Sequence, residues 1–488
     1  MEAFQDSDDD LEEDAVIAAC QLIMNPNLAL AEYAEELTAT LVEEEEAARA
    51  AKRPRAQRRP RLDRGSPFES PYYVKFLAPT ADGEAHPCDP QGRSALTFRN
   101  EFRMPRPFFL DLVARATAEN WFPSVGRTDA LGQRGAPLGL LMLCALNVLG
   151  RATVFAAFEN LANVSGQTVR KFFMEFCSQA RTRLYPEFVT MPTSQEDFDN
   201  YSREFGIAGL HGCVGCADGV HVELKQCAQN LRNSRIGKEG YPSVAFNVTA
   251  TLRRRILYST LGRPGKSNDK TNILYDQFAM NIRSRKYDWT WTRTTSDGVS
   301  RTMRGPYLIV DNGYHSWPCL VAPMKKTSVP EEIRFSKWLE SIRKCIECTF
   351  GILKARFTIL DDYRLQSEET LNDVWFTCLA LHNMLLELDG LDEPFEQNML
   401  LHDGMAIARR LFEDEERAYS GPPASAEEED AIADVAGGMG QDAAVPIEED
   451  DPAAETHDEF RSRLIQHWTR KLERGEVRWP SRTGRVQS

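Results

Sequence analysis

The sequence predicts an α/β protein, a mixed sheet flanked by helices and preceded by an all-helical region, and three observations predict it. Apolar residues recur at helical spacing across residues 98–185. From about residue 210 the spacing turns strand-like, with 212–224, 244–252 and 256–261 in succession. Helical spacing then returns in two long stretches, 330–357 and 369–388. With 488 residues, 42% of them hydrophobic, the chain can bury a sizeable core and divide into two or three domains.

Charge is segregated along this chain. Residues 1–50 carry fifteen acidic side chains and one basic, and residues 413–459 carry seventeen and one. Because these stretches hold −14 and −16 of a net −15, the remainder sums to +15. Seven basic residues lie within 51–64 and eight within 460–488. An acidic total therefore does not exclude a polyanionic partner. Composition divides the chain into an acidic then basic disordered N-terminal region (1–64), a helical helix-turn-helix-like domain (65–204), an α/β domain (205–390), an acidic disordered linker (391–459), and a basic C-terminal helix and tail (460–488). The run KRPRAQRRPRLDR at 52–64 suits a nuclear-import receptor or a phosphate backbone, and sets the expectation of a nuclear protein. Eleven cysteines, an odd number spread through apolar segments, indicate buried thiols in a reducing compartment, and the CxxC pairs 213/216 and 345/348 read as such thiols and not as zinc knuckles. Acidic residues follow Met1 where a secretory signal would be basic and apolar. The most apolar stretch, 135–150, is too short to span a bilayer, so no membrane partner is expected.

Within the helical region, one helix starts near residue 104, a buried one occupies 135–150, and a third covers 154–161. Asn163-Val-Ser-Gly then makes a turn in which Ser165 can cap an amphipathic helix over 167–181. Helix, turn and capped helix form a helix-turn-helix pattern whose second helix would present Gln167, Arg170 and Lys171 to DNA. A plain helical hairpin has the same signature.

The three strands that follow read as a meander, with Arg253, Arg254 and Arg255 at a basic hairpin tip. A helix over 269–284, a hairpin around Asp297-Gly298, and the apolar run ending at Asp311 come next. Three carboxylates stand on separate rigid elements: Asp218 in the first strand, Asp311 at the end of a strand, and Glu347 on the long helix 36 residues later. Two-metal phosphodiester cleavage needs hard oxygen ligands so distributed, and this element order is that of a ribonuclease H-like fold. In the Gly-rich loop 262–269, Asp269 reads as a helix N-cap or as a fourth carboxylate, with the cap preferred. Arg343, one turn before Glu347, reads equally as its surface partner.

Five blocks in order carry a family resemblance: CADGVHV (216–222), GKEGYPSVAFNVTATLRRRILYSTLGRPGKSNDK (237–270), YLIVDNGYHSWPCLVAP (307–323), ECTFGILKARFTIL (347–360) and LALHNMLLE (379–387). Over roughly residues 100–390 the chain resembles the DDE endonucleases of PIF/Harbinger-type transposases. That resemblance implies a catalytic, metal-binding triad of Asp218, Asp311 and Glu347, and two Mg²⁺ (or Mn²⁺) ions as cofactors. It also implies DNA partners at transposon ends and target sites, a Myb/SANT-like partner protein, and a homo-oligomer. The expected activity is cleavage at transposon ends followed by strand transfer; the competing class is a domesticated, non-catalytic DNA-binding or adaptor protein on the same fold. Asn312 stands where the family commonly has Ser and Val220 where it has Thr, and neither change removes a carboxylate.

Overall fold

A computed structural model of the chain describes residues 64–79, 92–128, 132, 134–294, 300–365, 367–392, 399–407 and 456–482. The acidic and basic run 1–63, the tip at Asp297-Gly298 and most of the acidic stretch 413–459 lie outside these residues. Residues 64–488 make one compact unit with a continuous apolar core. The helical region expected at 65–204 lies in the same compact unit as the sheet.

Its helices are α1 (Pro71–Phe76), α2 (Arg93–Phe102), α3 (Arg106–Ala118), α4 (Leu138–Arg151), α5 (Gly166–Arg183) and α6 (Gln195–Ile207). Helix α4 carries eleven consecutive buried residues from Leu140 to Gly150, and so forms part of the core. Among the described residues no helix is long and apolar enough to cross a membrane. Helix α6 begins on a capping box in which Ser194 and Asp197 each satisfy the other's backbone N–H.

The strands follow: β1 (Cys213–Glu223), β2 (Ser243–Ala250), β3 (Ile256–Ser259) and the two-residue β4 (Arg263–Pro264). Next come helices α7 (Asp269–Ile273) and α8 (Gln277–Arg283), the hairpin β5 (Thr290–Thr294) and β6 (Ser300–Arg304), then β7 (Tyr307–Ile309) and β8 (Leu320–Val321). Two long helices, α9 (Pro330–Arg356) and α10 (Glu368–Leu388), precede β9 (Met399–Asp403), α11 (His457–Glu473) and β10 (Arg478–Arg482). The main sheet runs β3-β2-β1-β7-β8, with β4 on β2. Pairing is antiparallel among β1, β2 and β3 and parallel from β1 through β7 to β8, giving a mixed sheet flanked by helices that is consistent with a ribonuclease H-like domain.

Four local expectations change. Strand β2 is buried at every position, so its polar residues turn inward; Asn247 is satisfied by Thr260, Asp276 and Tyr314. The single helix expected over 269–284 breaks in two, because the Asp276 carboxylate accepts from Ala279 N at 2.9 Å and restarts the helix as α8. The helix expected at 154–161 shrinks to a 3₁₀ turn and the one-turn helix Phe158–Leu161. The basic C-terminal helix is not a presented tail: α11 buries Trp468 against Phe335 and Trp338 of α9, with ring centroids 5.6 and 5.5 Å apart, and β10 pairs with β9. Gly209, at φ +80°, makes room for it, since a Cβ there would lie 2.8 Å from Trp468.

Beneath α11, His467 Nε2 and His211 Nδ1 are 3.2 Å apart. Burial, Lys471 and His467 push His211 down to about 3. An unfolded histidine titrates near 6.5, so between about pH 6.5 and 3 the unfolded chain binds the extra proton and stability falls as pH falls. Urea titrations should show wild type losing stability relative to His211→Asn by up to about 1.4 kcal/mol per pH unit in that window, the raised Asp218 carboxyl contributing the opposite slope to both. Parallel slopes for the two proteins would remove His211 as the cause.

Candidate active site

The parallel register of β1 and β7 sets the site. Cys216 pairs with Ile309, and that register carried two residues on sets Asp218 opposite Asp311, close enough for the Asp311 charge to act on Asp218. Asp311 lies just past the end of β7, and its Oδ1 accepts from Gly313 N in a tight Asx turn. The next residue, Tyr314, is buried and donates to Asn247 Oδ1 at 2.7 Å, fastening the turn to β2.

Helix α9 crosses β1 and brings two charged residues to the same place. Arg343 Nη1 is 2.8 Å from Asp218 Oδ2, and Arg343 Nη2 is 2.8 Å from Glu347 Oε1. The arginine read as a surface partner of Glu347 therefore joins both carboxylates. Burial pushes Asp218 up to about 6; Arg343 and Gly219 N oppose this, while the charges of Asp311 and Asp269 reinforce it.

Asp269 belongs to this cluster and does not cap α7. The cap is Asn268, whose side chain accepts from Thr271 N at 2.8 Å, leaving the Asp269 carboxylate free to turn toward the sheet. Its oxygens lie 2.9 Å from where a Cβ would stand on Gly219 and 2.9 Å from a Cβ on Gly313. Those glycines follow Asp218 and Asp311, so the absence of two side chains is what admits the fourth carboxylate. Lys238 Nζ, largely exposed, is 3.8 Å from Asp269 Oδ2. The Gly-rich loop 262–269, GRPGKSND, and the two trailing glycines were the available sequence signals.

Four carboxylates, on β1, just past β7, on α7 and on α9, are hard oxygen donors of the kind a divalent cation takes, and the charges of Asp311 and Asp269 add to the burial that raises the Asp218 carboxyl. Arg343 lies between Asp218 and Glu347, and among the described residues no group of three or more His, Cys, Asp or Glu is placed to hold a metal ion.

The expected DNA contacts divide. Ser165 caps α5 as expected, accepting from Thr168 N at 3.1 Å, and Gln167, Arg170 and Lys171 are exposed along its first two turns. The basic hairpin tip is corrected. Arg253 is only 3% exposed and lies 2.6 Å from buried Glu204, while Arg255 pairs with Glu387 and Asp392 at 2.6 and 2.7 Å. The tip packs against the ends of α6 and α10, whose carboxylates need counter-ions, so two of its three arginines serve the fold. Arg254 is half-buried at φ 68°.

Comparison with known proteins bears on the same segment. Residues 187–392 match the family model described as "Plant transposon protein". The proteins named "Putative nuclease HARBI1" from Rattus norvegicus, Homo sapiens and Mus musculus are 25%, 24% and 26% identical over 213, 211 and 211 residues. Each alignment covers 42% of this chain and 55% of the relative, so the chain spans about half the length of the curated relatives it matches. No solved structure matches.

Proposed function

From the premise that this segment is that of a Harbinger-type, transposase-derived nuclease, we propose that the chain is a DNA endonuclease and transposase acting at transposon ends. The observation that carries the reading is the side-by-side placement of Asp218 and Asp311 with Asp269 between their trailing glycines and Glu347 on the facing helix. Asp218, Asp311 and Glu347 would hold the metals, with Asp269 as a further oxygen donor. Two Mg²⁺ or Mn²⁺ ions bound there would activate the attacking water or hydroxyl and stabilise the leaving oxygen. The chain's own work is to fix oxygens on four rigid elements and to orient Asp218 and Glu347 through Arg343. Exposed Gln167, Arg170 and Lys171 on α5 would bind duplex outside the centre. The liberated 3′-hydroxyl would then attack target DNA. Nuclear location through residues 52–64, a Myb/SANT-like partner and self-association complete the proposal; they rest on the basic run and the family resemblance.

A second reading, a non-catalytic DNA-binding or adaptor protein, draws on Arg343, which neutralises part of the cluster without any metal. Purified full-length chain incubated with supercoiled plasmid separates the two. The nuclease reading expects nicks ending in 3′-hydroxyl that need Mg²⁺ or Mn²⁺ and vanish with EDTA. Binding without cleavage at any metal concentration would leave the adaptor.

A further inference from the structure

Beside the carboxylates lies a cationic aromatic stack that the phosphodiester chemistry does not use. His315, four residues past Asp311, lies parallel to Trp317, with ring centroids 5.1 Å apart and an interplanar angle of 6°. The exposed Arg283 guanidinium sits 4.1 Å from the Trp317 centroid. His315 Nε2 is 3.1 Å from the carbonyl oxygen of Lys270, the neighbour of Asp269, so the stack abuts the carboxylate cluster. A second such pair, Arg263 over Tyr275 at 3.7 Å, lies on the same 262–286 segment, with Tyr275 53% exposed. That segment holds six basic residues against two acidic, and one of the acidic pair, Asp276, is fully buried.

We propose that the His315–Trp317–Arg283 stack is a nucleobase platform that takes an unpaired DNA base next to the scissile phosphate. A tryptophan that only closed the core would need neither a parallel imidazole nor a guanidinium on it. A base has the planar face that Trp317 and His315 can extend, and every base has one, so the platform is tolerant of sequence. Arg283 covers the indole through cation–π attraction and, when a base takes its place, can turn to the adjoining phosphate. Basic residues on both sides supply the complementary charge for that phosphate backbone. Position adds the role: the stack follows Asp311 on the same turn, so the base it holds flanks the phosphate under attack. The inference rests on the DNA-substrate part of the reading above, and it makes Trp317, His315 and Arg283 positioning residues.

The test uses the full chain in EDTA, so that nothing is cut, with duplex oligonucleotides carrying 2-aminopurine either paired or opposite an abasic site. Wild type should quench the unpaired 2-aminopurine and bind that duplex about fivefold or more tightly than the paired one. Trp317→Ala should lose the preference and the quenching, and Trp317→Phe should regain part of both. Exposed Arg283→Ala decides the matter if Trp317→Ala does not fold, because it should weaken the unpaired complex selectively. Variants that keep wild-type preference and quenching overturn the platform, as does a wild type that binds both duplexes equally. Cleavage of plasmid by a protein without this preference would sink the platform and leave the nuclease; stacking without cleavage would do the reverse.

Discussion

Asp218→Asn, Asp311→Asn and Glu347→Gln are each expected to lower metal-dependent DNA cleavage about a hundred- to a thousandfold, while leaving the fold intact. Each change removes a charged oxygen donor and almost no volume, and single electrostatic contributors to a reaction centre carry losses of about that size. Asp218 offers a further check. Its carboxyl is pushed up to about 6, chiefly by burial, so the ionised form is held there at a cost that Arg343 only partly offsets. Asn at 218 should therefore melt at or above the wild-type temperature while cutting far more slowly, the signature of a group kept for chemistry and not for stability. Glu347 is half-exposed, and Gln there should leave melting unchanged. Cleavage at the wild-type rate by any one of the three would take that residue out of the centre.

Trp468→Ala should cost about 3–5 kcal/mol of stability as a buried tryptophan truncation. Trp468 is fully buried, packs on Phe335 and Trp338 of α9, and occupies the space that Gly209 leaves open. Loss of that packing loosens the helix that carries Arg343 and Glu347, so cleavage should fall with stability. Denaturant midpoints of the full chain measure the first effect. Removing residues 413–455 alone should spare stability, whereas removing 413–488 should reproduce or exceed the Trp468 loss. Equal midpoints for Trp468→Ala and wild type would mean that α11 does not brace α9.

The sheet and the long helices were legible because their periodicities are strong: α9 and α10 fall within a residue or so of where the apolar stripes put them. Element order and the five blocks singled out Asp218, Asp311 and Glu347, and the fold brings Arg343 between Asp218 and Glu347. Three things were not legible. Arg253 and Arg255 look like an exposed tip in sequence, since nothing local reveals that Glu204, Glu387 and Asp392 arrive from distant helices. Asp269 resembles a cap because caps and ligands share the same residue types, and only the neighbouring Asn268 and two remote glycines decide between them. The docking of α11 was hidden by its charge: eight basic residues over 460–488 mask a buried face of Leu464, Ile465, Trp468 and Leu472.

The chain of hydrogen bonds from Tyr314 through Asn247 to Asp276 separates residues that hold the fold from residues that face the cluster. Tyr314 donates to Asn247 Oδ1, and Asn247 Nδ2 donates to Asp276, which starts α8. All three are buried, and breaking any link strands a polar group in the core. Tyr314, Asn247 and Asp276 are needed to fold whether or not the chain cuts DNA, whereas Asp311 and Glu347 are held by local pairings, to Gly313 N and to Arg343. The tyrosine relay thus reports on architecture, and only the carboxylates bear on whether this chain can cut.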